Sequence, residues 1–383
     1  MKGKKVRVVL IGLHFAEYST HLARALSEHH SVLLLVNKSN FQQEVAEDVE
    51  KYANPNLEIV EIPHAQRVSQ VIQSAASIVS TIRRFEPQII HCQEDTKDYL
   101  AMALPFLPHV PFLLTVHDPK PHSGQDALRK LKSRHALYGE QLRRKANGVI
   151  VHGERLLQMA RDALPHVRNK VFSIPHGPLG TLQCGNSATG AWERGNCLFF
   201  GRIEEYKGLP IFVEAIRKLR FEGLDVKGVI AGRGTELDLL KPQLQVDSAF
   251  ELRNYFLSPK EVVYCFRRAN VVVMPYKDAT QSGVAAYALG IGRPIVATNV
   301  GAIPDMVIPG ISGLLVPPND SVAVAAAIKR IVEHPILAKT LAYGALQLGL
   351  GDYSWTCIAI QTTNAYQTLL KVDTRNEFTS KHE

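Results

Sequence analysis

The chain has 383 residues, more than one hydrophobic core usually serves, so two domains are expected. A composition of 46% hydrophobic and 21% charged residues is that of a globular protein, and it excludes disordered, collagen-like and low-complexity chains. The formal net charge of +8 favours anionic partners, while five scattered cysteines without a Cys-x-x-Cys pair argue against a disulfide framework or zinc site and for reduced thiols in the cytoplasm.

The first residues superficially copy a signal peptide, but Arg7 and His14 interrupt the apolar run, so residues 6–12 read as a buried strand ending in Gly12. An amphipathic helix is expected at 18–28, a strand at 32–36, helix and loop through 38–56, and a strand at 57–62. Helical spacing runs over 68–85 and stops before Pro87. A strand at 88–91 and a helix at 99–107 follow, and then a strand at 111–116 delivers His117-Asp118-Pro119 at its carboxyl end. No stretch approaches the uncharged apolar length of a membrane-spanning helix.

Residues 120–148 hold Lys120, Arg129, Lys130, Lys132, Arg134, Arg143, Arg144 and Lys145 against Asp126 and Glu140, a local net charge of +6. A basic segment of this kind is either a solvated helix face or a surface that rests on anionic lipid. No nucleic-acid-binding motif accompanies it. Strand, turn and helix resume through 148–164, and a last strand near 170–174 closes this half. Residues 181–195, rich in Gly, Ser, Thr and Asn, read as a linker. The second half then repeats the alternation, with strands near 198–200, 227–231, 249–256, 271–275, 294–297 and 314–316. Alternating strands and helices imply parallel sheets covered on both faces, hence two Rossmann-like halves around a cleft.

The informative stretch is 198–216, in which an apolar strand meets Gly201-Arg202, turns through Lys207-Gly208 and leaves as a helix. In open α/β sheets ligands dock at such strand-to-helix turns. A forked guanidinium beside a compact ammonium suits a diphosphate better than a single carboxylate. The same residues also fit a surface loop with two solvated cations, one of them paired to Glu204 or Glu205.

Gly201-Arg202 with Lys207-Gly208, Ala231-Gly232-Arg233-Gly234 and Pro275-Tyr276 with Gln281-Ser282-Gly283-Val284 form one motif set in the second half. Gly292-Arg293-Pro294 and Val300-Gly301 with Pro304-Asp305 extend it, and His117-Asp118-Pro119, Val151-His152-Gly153, Pro175-His176-Gly177 and Tyr353-Ser354-Trp355 complete it. As a set, these resemble glycosyltransferase family 4 over nearly the whole chain. The resemblance implies a GT-B fold. An acceptor-side Rossmann-like domain would cover 1–180, a nucleotide-sugar domain 196–352, and a crossover helix at 353–372 would pack on the first domain. It further implies a hexosyltransferase that retains anomeric configuration without a metal or other cofactor, with the nucleotide sugar as co-substrate and a sugar or lipid-linked hydroxyl as acceptor. The expected location is the cytoplasm, with 120–148 as the surface that would meet the inner membrane face.

By this resemblance the donor site takes in Gly201, Arg202, Lys207, Arg233, Asp278, Gln281, Ser282, Gly283, Val284 and Tyr287, with Asn254-Tyr255-Phe256 near the base. Gly12, His14, His117 and Asp118 lie on the acceptor side, and His117, Arg202 and Lys207 carry catalysis. The cations would balance the charge developing on the leaving diphosphate. The amides of Gly283 and Val284, at a helix start, would add N–H donors and the positive dipole end. His152 and His176 read as turn residues. The family's two glutamates, separated by seven residues, fall on Ala279 and Tyr287, neither a carboxylate. Tyr287 would then offer its hydroxyl to the ribose and Asp278 its carboxylate to the sugar. That departure favours a second reading, a silent nucleotide-sugar-binding partner subunit; a third, a sugar-nucleotide epimerase on the same fold, would need carboxylates at the sugar ring and is disfavoured by Ala279 and Tyr287.

Overall fold

The structure is a computed structural model that describes residues 5–94, 97–119, 134–180 and 192–379; for 46–48, 134–135 and 372–379 it describes the backbone alone. The chain divides into two compact units. Among the described residues, the first holds the chain up to Pro175 together with Trp355 onward, and the second holds His176–Ser354. Of the expected linker, 181–191 lies outside the described residues; Glu193 is bound into the second unit by Arg268, whose guanidinium donates to both its carboxylate oxygens at 2.7 and 2.8 Å.

The first unit is a seven-stranded parallel sheet in the order β3-β2-β1-β4-β5-β6-β7. Its strands are β1 (Arg7–Gly12), β2 (Ser31–Asn37), β3 (Leu57–Ile62), β4 (Ile89–Gln93), β5 (Phe112–Thr115), β6 (Gly148–Val151) and β7 (Val171–Ser173). Val8, Leu10 and Ile11 of the central β1 are fully buried, which is why the strand reads as an unbroken apolar run rather than an alternation. The helix Val68–Phe85 starts with the Gln70 side-chain oxygen accepting from the backbone amides of Gln66 and Arg67, each at 3.0 Å, and stops at Glu86, which takes a left-handed φ of 50° ahead of Pro87. The terminal helix Trp355–Thr379 packs on the helix Ala16–Leu26, where Trp355 stacks on His21 with centroids 5.1 Å apart. Tyr366 on that terminal helix shares a 2.8 Å hydrogen bond with His91 in β4.

The second unit is a six-stranded parallel sheet in the order β10-β9-β8-β11-β12-β13. Its strands are β8 (Asn196–Phe200), β9 (Lys227–Ala231), β10 (Phe250–Arg253), β11 (Val271–Met274), β12 (Ile295–Thr298) and β13 (Gly313–Val316). The chain runs outward from β8 to β10, then returns to the other side of β8 as β11, so a topological switch point lies between β8 and β11. In the first sheet the corresponding point lies between β1 and β4.

Arg293 is fully buried and its guanidinium donates to the carbonyls of Phe266 at 2.9 Å, Arg267 at 2.9 Å and Gly292 at 3.0 Å, closing the end of the helix Pro259–Arg268. Arg293→Met would leave these carbonyls dry and is expected to cost about 3 kcal/mol. The test is urea unfolding followed by Trp192, whose ring lies under Arg293 at 5.6 Å. An unmoved midpoint would contradict the capping role.

Candidate functional site

At the switch point of the second sheet the loops after β8 and β11 interlock. Lys277 N donates to Tyr206 O at 2.7 Å, and a side chain at Gly208 would lie 2.1 Å from Pro275 O. The loop after β9 joins them, since Ile203 N donates to Arg233 O at 2.9 Å and a Cβ at Gly232 would meet Gly201 O at 2.0 Å. The short glycine-rich turns noticed in the sequence are therefore points where backbone passes backbone without room for a Cβ.

Lys207 lies inside this knot, with only 8% of its surface exposed. Its Nζ sits 2.8 Å from where a Cβ at Gly201 would stand, and Val284 Cγ2 is 3.5 Å from the same point. The ammonium is thus brought to the start of the helix Gly283–Ile291. Burial pushes the Lys207 pKa down to about 8, the neighbouring Arg202 charge adding to the effect and Glu204 opposing it. Arg202 is exposed beside it. Among the described residues neither cation has a carboxylate partner: Glu205 faces Lys277 at 3.9 Å and Glu204 accepts from Thr235 Oγ1 at 3.0 Å. Of the surface-loop alternative, the solvated Arg202 is present, while Lys207 is buried and the pairing with Glu204 or Glu205 is absent among the described residues.

Ser282 caps the helix and its Oγ accepts from Val284 N at 3.2 Å. This corrects one expectation, because the Val284 amide is taken up by its own cap, while the Gly283 amide has no protein acceptor among the described residues. The Gln281 side-chain oxygen is shielded from solvent without a donor among the described residues, which leaves an acceptor for a hydroxyl next to the cap. Tyr276, given no separate role from the sequence, is 3% exposed, lies under Lys207 Nζ with its centroid at 5.3 Å, and reaches Ser282 Oγ with its hydroxyl at 3.4 Å. No periodicity signalled it.

The Tyr287 ring is packed against Phe266 at 5.3 Å and against Gly180, where a Cβ would lie 2.9 Å from its Cδ1. Asp278 is half-buried and Ala279 is buried, with the Ala279 carbonyl 1.6 Å from where a Cβ at Gly301 would stand. Arg233 is exposed, its guanidinium over the Phe256 ring at 5.8 Å.

In the first unit, side chains from the strand ends beside β1 and β4 converge on His117. Its Nε2 donates to Gln93 Oε1 at 3.1 Å, and its ring packs against Phe15 at 4.2 Å, His152 at 5.0 Å and Tyr18 at 5.9 Å. His152 donates from Nδ1 to Ile174 O at 2.9 Å and His176 to Gly177 O at 2.8 Å, both holding turns. Burial drives His152 down to about 4 and His91 down to about 3, so both are neutral at pH 7. Gly12 lets the helix Ala16–Leu26 approach, since a Cβ there would lie 2.1 Å from Ser19 Oγ. His14 is exposed and meets Phe15 edge-on at 4.7 Å.

The loop carrying His117 is stapled from the helix Arg134–Lys145. Arg143 donates to Glu94 Oε1 at 2.6 Å and to the carbonyl of Asp118 at 2.9 Å. Residues 120–133 of the basic segment lie outside the described residues. Of its described cations, Arg143 is engaged internally, Arg144 pairs with Glu140 at 2.9 Å, and Lys145 lies over the Phe112 ring at 6.0 Å.

Two family models cover these two units. One described as Glycosyltransferase Family 4 matches residues 16–177, and one described as Glycosyl transferases group 1 matches 194–334. The chain is a family 4-like glycosyltransferase. Among its relatives is a glycogen synthase of Mycobacterium tuberculosis, 25% identical over 295 residues that cover 75% of this chain and 70% of the relative. Among solved structures, sucrose-phosphate synthase from Thermosynechococcus elongatus aligns over 96% of this chain and all of its own, at 19% identity and a TM-score of 0.69. Anabaena HepE in complex with UDP-glucose aligns over 95% of this chain and all of its own, at 16% identity and a TM-score of 0.68. These likenesses establish the fold: two parallel-sheet Rossmann-like units of seven and six strands with GT-B glycosyltransferases as neighbours.

Arg143→Ala should destabilise the first unit by about 2 kcal/mol, because Glu94 and the Asp118 carbonyl lose their donor while remaining partly buried. Arg143→Lys, lacking the fork, should recover less than half of that. Trp355 fluorescence in a Trp192→Phe background reads the transition; equal stability of all three proteins would rule out the staple.

Proposed function

We propose that the chain is a retaining, metal-independent hexosyltransferase that takes a nucleotide diphosphate sugar as donor and a sugar or lipid-linked hydroxyl as acceptor. The observation that carries this reading is the buried, carboxylate-free ammonium of Lys207 at the β8/β11 switch point, beside Arg202 and the Gly283 amide. An unpaired buried charge is costly, and a diphosphate is the ligand that two cations and a helix start together compensate. The relative named for HepE was solved with UDP-glucose, which supports a nucleotide sugar here.

In the reaction the bond between the anomeric carbon and the diphosphate oxygen breaks, and the acceptor oxygen bonds to that carbon on the same face. The departing phosphate takes the acceptor's proton, so no protein nucleophile is needed. Lys207, Arg202 and the Gly283 amide stabilise the leaving charge without a metal. Gln281 Oε1 accepts from a sugar hydroxyl, with Asp278, Ser282 and Tyr287 lining the donor. His117, oriented through Gln93, serves the acceptor side together with Gly12, His14 and Asp118. The buried Ala279 in a glutamate position keeps a silent donor-binding subunit as the second reading, distinguished by tight nucleotide binding with no transfer and no donor hydrolysis.

A panel of nucleoside diphosphates and their sugars is expected to contain one base that stabilises the protein by about 2.7 kcal/mol at a hundred times its dissociation constant. Arg202→Ala and Lys207→Ala should each abolish most of that shift in a thermal melt; a shift that survives both would place the nucleotide elsewhere.

The pH dependence has a definite sign. The ammonium binds the anion and the free protein loses it near pH 8, so affinity should be flat from pH 6 to 7.5 and fall above pH 8. Isothermal titration across this range checks it, and Lys207→Arg should remove the fall.

A further inference from the structure

A buried ammonium usually has a carboxylate beside it, and Lys207 has none among the described residues. What lies against it is an aromatic face. The Tyr276 ring centroid is 5.3 Å from Lys207 Nζ, within the range of a cation–π contact. The ring is itself held from two sides: the hydroxyl is 3.4 Å from Ser282 Oγ, and the Tyr276 carbonyl accepts from Thr298 Oγ1 at 2.6 Å. Tyr276 therefore touches both the cation and the helix cap that border the anion position.

We propose that Tyr276 is a positioning residue that acts as the resting counterpart of Lys207, its ring face holding the ammonium in place and charged while leaving the anion position beside Gly201 and Gly283 open. A carboxylate would hold the ammonium more strongly. It would also have to be displaced, and its charge would remain to repel the incoming diphosphate. A ring attracts the cation through its quadrupole and carries no net charge, so it stabilises the empty site without opposing the filled one. The hydroxyl's contact with Ser282 ties the ring to the helix start, so ammonium and amide are held in one register. The purpose assigned to the ring rests on the reading of Lys207 as a ligand of the donor phosphates; its effect on the cation does not.

The test is the titration of Lys207, read from the lysine Cε–Hε resonances by NMR, its signal identified by loss in Lys207→Arg. Wild type should titrate near pH 8. Tyr276→Phe keeps the ring and should leave the midpoint unchanged. Tyr276→Leu and Tyr276→Met remove it and should lower the midpoint by about one pH unit. Pentafluorophenylalanine at 276, which keeps the shape and inverts the charge of the face, should do the same and guards against aliphatic variants that fail to fold. Inorganic pyrophosphate binding should then be within about twofold of wild type at pH 6.5 for the ring-less variants and about fivefold weaker at pH 8. A wild-type midpoint in the ring-less and fluorinated variants, or an equal shift in Tyr276→Phe, overturns the proposal. If the midpoints move as expected but wild type binds no pyrophosphate, the donor-phosphate reading falls and with it the purpose given to the ring.

Discussion

The second unit depends on one constraint: a positive charge is kept out of water with no carboxylate paired to it among the described residues. Lys207 can be buried there only because three loops pass each other closely, and they do so at glycines 201, 208 and 232, where a Cβ would collide with backbone or with the ammonium itself. The strand order decides where this happens, since β8 and β11 are neighbours whose following loops lead to different sides of the sheet. Glycine placement, sheet topology and the low pKa of one lysine are thus a single arrangement.

The first unit uses a different economy. Its strand ends are populated by histidines that burial keeps neutral, so they act as hydrogen-bonding groups rather than charges. His117 donates from Nε2 to the carboxamide oxygen of Gln93, which orients the ring. The ion pair of Arg143 with Glu94 stands behind the loop and shapes it.

Much of the fold was legible because parallel strands covered on both faces read as continuous apolar runs, and each element announces its end. Residues 68–85 were bounded correctly because their apolar residues keep helical spacing and Pro87 forbids continuation of the helix. The strand expected over 249–256 shortened to Phe250–Arg253, because Asn254, Tyr255 and Phe256 leave the ladder. What the sequence could not give was partnership across distance. Arg143 counted toward a basic surface, yet its partner Glu94 lies 49 residues away. Arg293 stood in a motif, but its work is to cap a helix that ends 25 residues earlier. Tyr276 is an aromatic at a strand end like many others, and only the fold puts a lysine over its face. The Val284 amide looked available because a helix start has unpaired N–H groups, whereas Ser282 in the cap position takes that one first.

The central claim is that Lys207 and the Gly283 amide together bind a donor diphosphate. A crystal structure of the protein with the nucleoside diphosphate that stabilises it tests this most directly. The account predicts a phosphate oxygen at about 2.7–3.2 Å from Lys207 Nζ and another at similar distance from Gly283 N, with Arg202 turned onto the same group. A nucleotide bound with its phosphates away from the β8/β11 switch point, leaving Lys207 against Tyr276 alone, would contradict it.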